Sequence, residues 1–302
     1  RKQRRTNENT RDKQLGKLNI ALQPLTHPST FKFGTWDIEA NDWWDLVVIG
    51  CYDGEQYYHF TDVGKFVEHI IQKRYGYYRW FAHFGGRYDA NFIFDYIRKN
   101  SNYAVNFYCS GSMVISLTIR RSKNCVATLC DSYRLLPGKL RDLCIAFNVE
   151  HQKGVIDYEN IVYSKQLLEY NEHDCIGLYE VLDSFFEQTG IMSETFASHA
   201  LKVFRKDFLS EPIWKTSRKI EEFIRGGYHG GRVEVFKRRN ENVNAYDVNS
   251  MYPFVMLNDV PTQYVGESRD IKPQYYGFID AEVYIPSIYI PCLPVRMEKL
   301  YF

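Results

Sequence analysis

The chain has 302 residues, 45% of them hydrophobic, and its Lys+Arg 38 and Asp+Glu 37 nearly cancel. That length and apolar content suffice for one or two buried cores, while the charge balance excludes a global positive field as the means of holding a polyanion and leaves that task to local basic patches. No apolar run reaches the roughly 18 residues of a membrane span and no secretory signal opens the chain, so no membrane partner is expected.

The first residue is Arg1 and not Met, which we read as the mark of a fragment or a processed product. Residues 1–17 carry seven basic and two acidic side chains with almost nothing apolar, and residues 1–30 are expected to be a basic, flexible tail. From Phe31 the pattern changes. Phe33-Gly-Thr-Trp-Asp-Ile-Glu39 alternates, Asp45-Leu-Val-Val-Ile-Gly-Cys-Tyr52 is a β-branched run, and Gln56-Tyr-Tyr-His-Phe60 follows the Asp53-Gly54 turn signal, which predicts a three-stranded meander. Val63, Phe66, Val67, Ile70 and Ile71 have helical spacing within residues 63–74, and Arg79-Trp-Phe-Ala-His83 predicts a short strand behind that helix. The pattern then predicts a helix over 91–99, a hairpin from 113–119 and 125–130, a helix over 139–147 and a long helix over 164–188. This α/β (α+β) order resembles a mixed sheet flanked by helices, as in the ribonuclease-H-like fold.

Four carboxylates fall at telling places in that layout. Asp37 and Glu39 are two apart on a strand and leave one face of the sheet together; Asp89 follows a strand and the Gly85-Gly86 loop; Asp174 lies inside the long helix, with Tyr170 one turn earlier on the same face. Such a set can hold two Mg²⁺ or Mn²⁺ ions about 3.5–4 Å apart, which suits phosphodiester hydrolysis. The 24 Tyr and 20 Phe make 16% aromatic residues, either core filling or flat faces on which bases stack. Seven cysteines without a Cys-x-x-Cys pair read as buried thiols of a reducing compartment.

Trp36-Asp-Ile-Glu39, Ala82-His-Phe-Gly-Gly-Arg-Tyr-Asp-Ala-Asn-Phe-Ile93 and Tyr170-x-x-x-Asp174 resemble the three exonuclease motifs of protein-primed family B DNA polymerases, the type of small phages, adenoviruses and linear organelle plasmids. Asp131-Ser-Tyr-Arg-Leu-Leu-Pro137 resembles the family's Ser-containing strand at the single-stranded 3′ end, and Lys153-Gly-Val-Ile-Asp-Tyr158 its lysine motif. Gly227-Tyr-His-Gly-Gly-Arg232 resembles the Tyr-x-Gly-Gly linker, and Tyr246-Asp-Val-Asn-Ser-Met-Tyr-Pro-Phe254 the first palm motif.

The resemblance implies a ribonuclease-H-like 3′→5′ exonuclease domain over 31–190, then a linker and the start of a polymerase palm over 191–302. It implies metal ligation by Asp37, Glu39, Asp89 and Asp174, and by Asp247 in the palm, with Tyr170 holding the attacking water and Lys153 positioning the scissile phosphate. It further assigns DNA contacts to His83, Tyr88, Phe92, Ser132, Tyr133 and Tyr158, template contacts to Tyr228, Gly230 and Gly231, and triphosphate contacts to Ser250, Met251 and Tyr252. The glycines of the linker would permit positive φ and close approach to phosphate. The partners the resemblance implies are a single-stranded 3′ end, primer-template DNA, deoxynucleoside triphosphates and a terminal protein primer.

Phe84 stands where the family usually has Asn, which removes a side-chain amide from the 3′-terminal site, and Met251 replaces the usual Leu. The chain ends at Phe302, before any Lys-x-x-x-Asn-Ser-x-Tyr-Gly or Asp-Thr-Asp motif, so the expectation is the amino-terminal half of a longer enzyme. Two alternatives stay open: a binding module that grips primer ends without cleaving, and a stand-alone 3′→5′ exonuclease.

Overall fold

The computed structural model describes residues 19–26, 32–41, 45–76, 78–100, 102–111, 113–154, 156, 161–231, 233, 235, 237–260, 264–274, 276–286, 293, 295–296 and 300–301. The readings at Tyr158, at Arg232 and along the tail before residue 19 lie outside them. Two compact units result, one over 23–212 and the other formed by residues up to 22 with those from 213 on.

The first unit is built on a seven-stranded sheet. Its strands are β2 (Phe33–Ala40), β3 (Leu46–Tyr52), β4 (Tyr57–Phe60), β5 (Arg79–Ala82), β6 (Ala104–Ser110), β7 (Met113–Ser122) and β8 (Cys125–Asp131), in the order β4-β3-β2-β5-β8-β7-β6. The pairs β2/β5 and β5/β8 are parallel and the others antiparallel, so the sheet is mixed, as expected. The helices are α1 (Val63–Ile70), α2 (Asp89–Lys99), α3 (Leu140–Ala146), α4 (Lys165–Thr189) and α5 (Phe196–Val203).

Strand alternation decides which helix meets which face. Trp36 and Ile38 of β2, with Trp80 and Ala82 of β5, enter one core together with Phe66, Val67 and Ile70 of α1 and Phe92, Ile93 and Ile97 of α2. Phe33 and Phe81 turn to the opposite face and pack with Leu140 and Cys144 of α3 and Leu178, Val181, Leu182 and Phe186 of α4. Side chains and backbone turns close the helices as the residue types suggest: Asp62 accepts from Lys65 N at α1, Ser164 from Leu167 N at α4, and Gly190 ends α4 in the left-handed region at φ 64.

The structure departs from the sequence pattern in several places. The helix expected through Arg74 stops at Ile70, and Lys73–Tyr75 form a 3₁₀ turn that turns Tyr75 inward, its hydroxyl 2.7 Å from Asp53 Oδ2 and its ring against Trp80. α2 starts at Asp89, two residues before the expected Asn91. β6 and α5 were not expected at all; β6 is an edge strand whose residues are nearly all exposed, so no alternation betrays it.

The second unit contains β1 (Asn19–Leu22) antiparallel to β9 (Ile213–Lys215), α6 (Arg218–Gly226), α7 (Met251–Val255) and the pair β10 (Val295–Arg296) and β11 (Leu300–Tyr301). No described residue from 213 on is buried. Among the described residues no helix is long and apolar enough to cross a membrane, and the six described cysteines are free thiols.

Candidate active site

The face of β2 that meets α4 carries Thr35, Asp37 and Glu39. Thr35 Oγ1 donates to Cys175 O at 2.6 Å, which ties helix to strand beside the acids. One carboxylate oxygen each from Asp37, Glu39 and Asp174 then lie within 4.8 Å of one another. Glu39 is 4% and Asp174 3% exposed. Burial raises the pKa of Asp37 to about 6, with the Asp174 charge adding to it and Lys153 opposing. Glu39 is raised as well, first by burial and then by Asp37. An acid cluster this dry wants a cation.

One cation is supplied by the chain. Lys153 Nζ pairs with Asp174 Oδ2, and although burial works against the ammonium, Asp37 and Asp174 together outweigh it and hold its pKa above the ordinary range. Tyr170, one turn before Asp174, bonds to both partners and places its ring 5.2 Å from Lys153 Nζ. Asp174 Oδ1 is buried and has no hydrogen-bond partner among the described residues. A buried carboxylate oxygen without a donor is costly, and it fits a metal ligand. The donor set, oxygen only, suits Mg²⁺ or Mn²⁺.

Asp89 opens α2 and is 6% exposed, but it lies outside the group of three. Its pKa is pushed well up by burial, then by Asp37 and Asp131. Asp131, at the end of β8, was not among the expected site residues; it accepts from Gly86 N at 3.3 Å and Tyr133 N at 3.0 Å, which joins the Gly85-Gly86 loop to the turn after β8. Its position at the head of the Asp131-Ser-Tyr segment was the signal available.

The aromatic residues divide. Phe92 is 6% exposed and packs inside the first core, edge-on to Tyr88. Ser132 is 1% exposed, its Oγ 3.1 Å from Ala82 O and 3.0 Å from His83 Nδ1, so its hydroxyl is committed to joining β5 and β8. His83 Nε2 lies 2.9 Å from Gly138 O. A carbonyl only accepts, so Nε2 carries a proton, and burial lowers the pKa of the ring. Beside them an open cleft of about 490 Å³ is lined by His83, Phe84, Tyr133, Gly138, Lys139 and Asp142. Phe84 is held at φ 66 and is 41% exposed, its ring edge-to-face with Tyr133 at 4.6 Å and under the Arg87 guanidinium at 5.2 Å.

Of the segment expected to be linker and palm, residues 191–212 belong to the first unit and the expected contact residues from Tyr228 on to the second. Tyr228 is 77% and Tyr252 74% exposed, Met251 is 48% exposed, and Ser250 takes a left-handed φ of 52 just before α7. Asp247 is exposed and joins no group of acids among the described residues. Gly230 and Gly231 do not take a left-handed φ, and a Cβ on either would meet no protein atom within 4 Å.

The family described as DNA polymerase type B, organellar and viral, matches residues 70–167 and 161–301. A probable DNA polymerase of Podospora anserina is 28% identical over 223 residues, covering 57% of this chain and 19% of that protein. A probable DNA polymerase of Ascobolus immersus is 24% identical over 285 residues, covering 73% of this chain and 23% of that one. The DNA-directed DNA polymerase of Enterobacteria phage PRD1 is 25% identical over 252 residues, covering 80% of this chain and 39% of its own. The fold is similar to Phi29 DNA polymerase, solved with primer-template DNA and incoming nucleotide, at a TM-score of 0.56 and 17% identity over 68% of this chain and 40% of that one. The chain thus spans between 19% and 39% of the length of these curated relatives.

Proposed function

Because the chain belongs to the organellar and viral type B DNA polymerases, we propose that it is the proofreading part and first palm segment of a DNA-directed DNA polymerase. In this reading residues 31–190 form a 3′→5′ exonuclease domain and 191–302 carry the linker and the beginning of the palm. The observation that carries it is the close group of Asp37, Glu39 and Asp174, the last two buried, with the Oδ1 of Asp174 lacking a donor among the described residues. These residues, with Asp89 beside them, would hold two divalent ions, which there supply an activated water and stabilise the leaving 3′ oxygen. Lys153, kept charged by Asp37 and Asp174, meets the scissile phosphate. The Tyr170 hydroxyl orients the attacking water, and Phe84 and Tyr133 offer rings on which the terminal base stacks whatever its sequence. Asp247 would hold the divalent ions of the palm, Ser250, Met251 and Tyr252 take the incoming triphosphate, and Tyr228, Gly230 and Gly231 the template. Priming by a terminal protein rests on the sequence resemblance alone. The free thiols support a reducing compartment.

Digestion of a 3′-labelled single strand with Mg²⁺ tests this reading. The chain should shorten the strand, and its Asp37→Ala form should be slower by several orders of magnitude; equal rates would end the metal-site assignment.

A further inference from the structure

Asn171 is wholly buried on α4, one residue after Tyr170 and three before Asp174, so it shares the helix face that meets the acids. Its Nδ2 lies 3.3 Å from Asp37 Oδ2 and 3.5 Å from Asp37 O. Its Oδ1 accepts from the Tyr57 hydroxyl at 2.8 Å. A carboxylate accepts and cannot donate, so the amide nitrogen has to face Asp37, and the amide oxygen then needs a donor on its other side. Tyr57 is that donor, and it comes from β4, two strands away from β2.

The amide passes over β3 at Gly50. Gly50 of β3 is the register partner of Asp37, and a Cβ there would come 1.7 Å from Asn171 Oδ1 and 2.7 Å from the Tyr57 hydroxyl. Glycine weakens a strand, and its presence in a central one marks a close approach. Here the approach is by the amide that reaches Asp37.

We infer that Asn171 and Tyr57 are positioning residues: through the gap at Gly50 they fix one oxygen of Asp37 so that the carboxylate meets Glu39 and Asp174 in the geometry a divalent ion requires. This rests on the proposed metal site. Outer partners that orient metal ligands typically change affinity about 10–100-fold when removed.

Mn²⁺ binding to the full 302-residue chain, measured by electron paramagnetic resonance of the free ion without DNA, tests it. The readout is the component of binding that Asp37→Ala removes. Asn171→Ala should weaken that component about tenfold or more. Tyr57→Phe, which keeps the ring and the amide, should weaken it by a smaller factor. Because Tyr57 acts through Asn171, adding Tyr57→Phe to Asn171→Ala should cause no further loss. Parent-like Mn²⁺ affinity in Tyr57→Phe and Asn171→Ala, or additive losses in the double variant, would overturn the inference while leaving the metal site standing. A parent chain without the Asp37-dependent component would overturn both. Should Asn171→Ala fail to fold, Tyr57→Phe decides alone: a weakened affinity supports the inference and an unchanged one ends it.

Discussion

Lys153 makes a buried acid cluster tolerable. Three carboxylates with oxygens within 4.8 Å repel one another, and without a cation burial keeps protons on them. The Lys153 side chain is 28% exposed while that of Asp174 is 2% exposed, so the pair joins a nearly dry acid to a cation whose side chain still reaches solvent. Phe84 shows strain of another kind. A bulky side chain at φ 66 is rare and costs about 1–3 kcal/mol. Its edge contact with Tyr133 returns roughly 0.5–1.5 kcal/mol, so the contact does not clearly offset the strain.

His69 gives a pH prediction away from the site. Its ring is 8% exposed among Tyr58, Phe60 and Tyr75, and burial, helped by Arg74, lowers its pKa from 6.5 to about 4. The unfolded chain therefore takes up this proton before the folded one does. Stability from this group is full above pH 6.5 and is lost as pH falls toward 4. Thermal melting across that window should fall more steeply for the parent than for His69→Phe; parallel curves would show that the ring does not carry the effect.

Among the elements, β2 and α4 do most to build the site, and both were legible. Alternation in Phe33–Glu39 separates Trp36 and Ile38 from Asp37 and Glu39, and Ser164 and Gly190 bracket the long helix. What α4 lies against was not legible. Gly177 sits in its middle, where Ala would ordinarily gain about 1 kcal/mol. A Cβ at 177 would instead come 2.4 Å from His151 O, in the backbone of the loop that carries Lys153. Gly177→Ala should therefore destabilise the chain by about 1–3 kcal/mol, against propensity. Urea midpoints will check the sign, and a stabilised variant would mean that the loop yields without cost. β6 escaped notice because an exposed edge strand has no polarity pattern, and the 3₁₀ turn at Lys73–Tyr75 because the pull of Tyr75 into the core is a tertiary matter.

The two units differ in what holds them. Residues 23–212 bury hydrophobic cores on both faces of the sheet and a smaller cluster of Val48, Ile161 and Leu167. The described residues from 213 on bury none, and Tyr246 at 92% and Tyr284 at 91% exposure are examples. With so little apolar area removed from water, chain entropy is not opposed there by packing. Amide exchange read by mass spectrometry should protect β2, β5 and α4 strongly and the described stretch 237–260 hardly at all. Equal protection would mean that the palm segment has a core of its own.

From the order of residues alone follow the pairing of Asp37 with Glu39, the alignment of Tyr170 with Asp174, and the family, because strand and helix periods put each pair on one face and the motifs recur in chain order. Folding decided the rest. It left Asp89 outside the group of three but within reach of the Asp37 charge, brought in Asp131, enclosed Phe92 and Ser132, and carried Asn171 across 134 residues of sequence to Asp37. Local periodicity says which face a side chain leaves, whereas its neighbours there come from strands and helices far away in the chain, and only packing selects them.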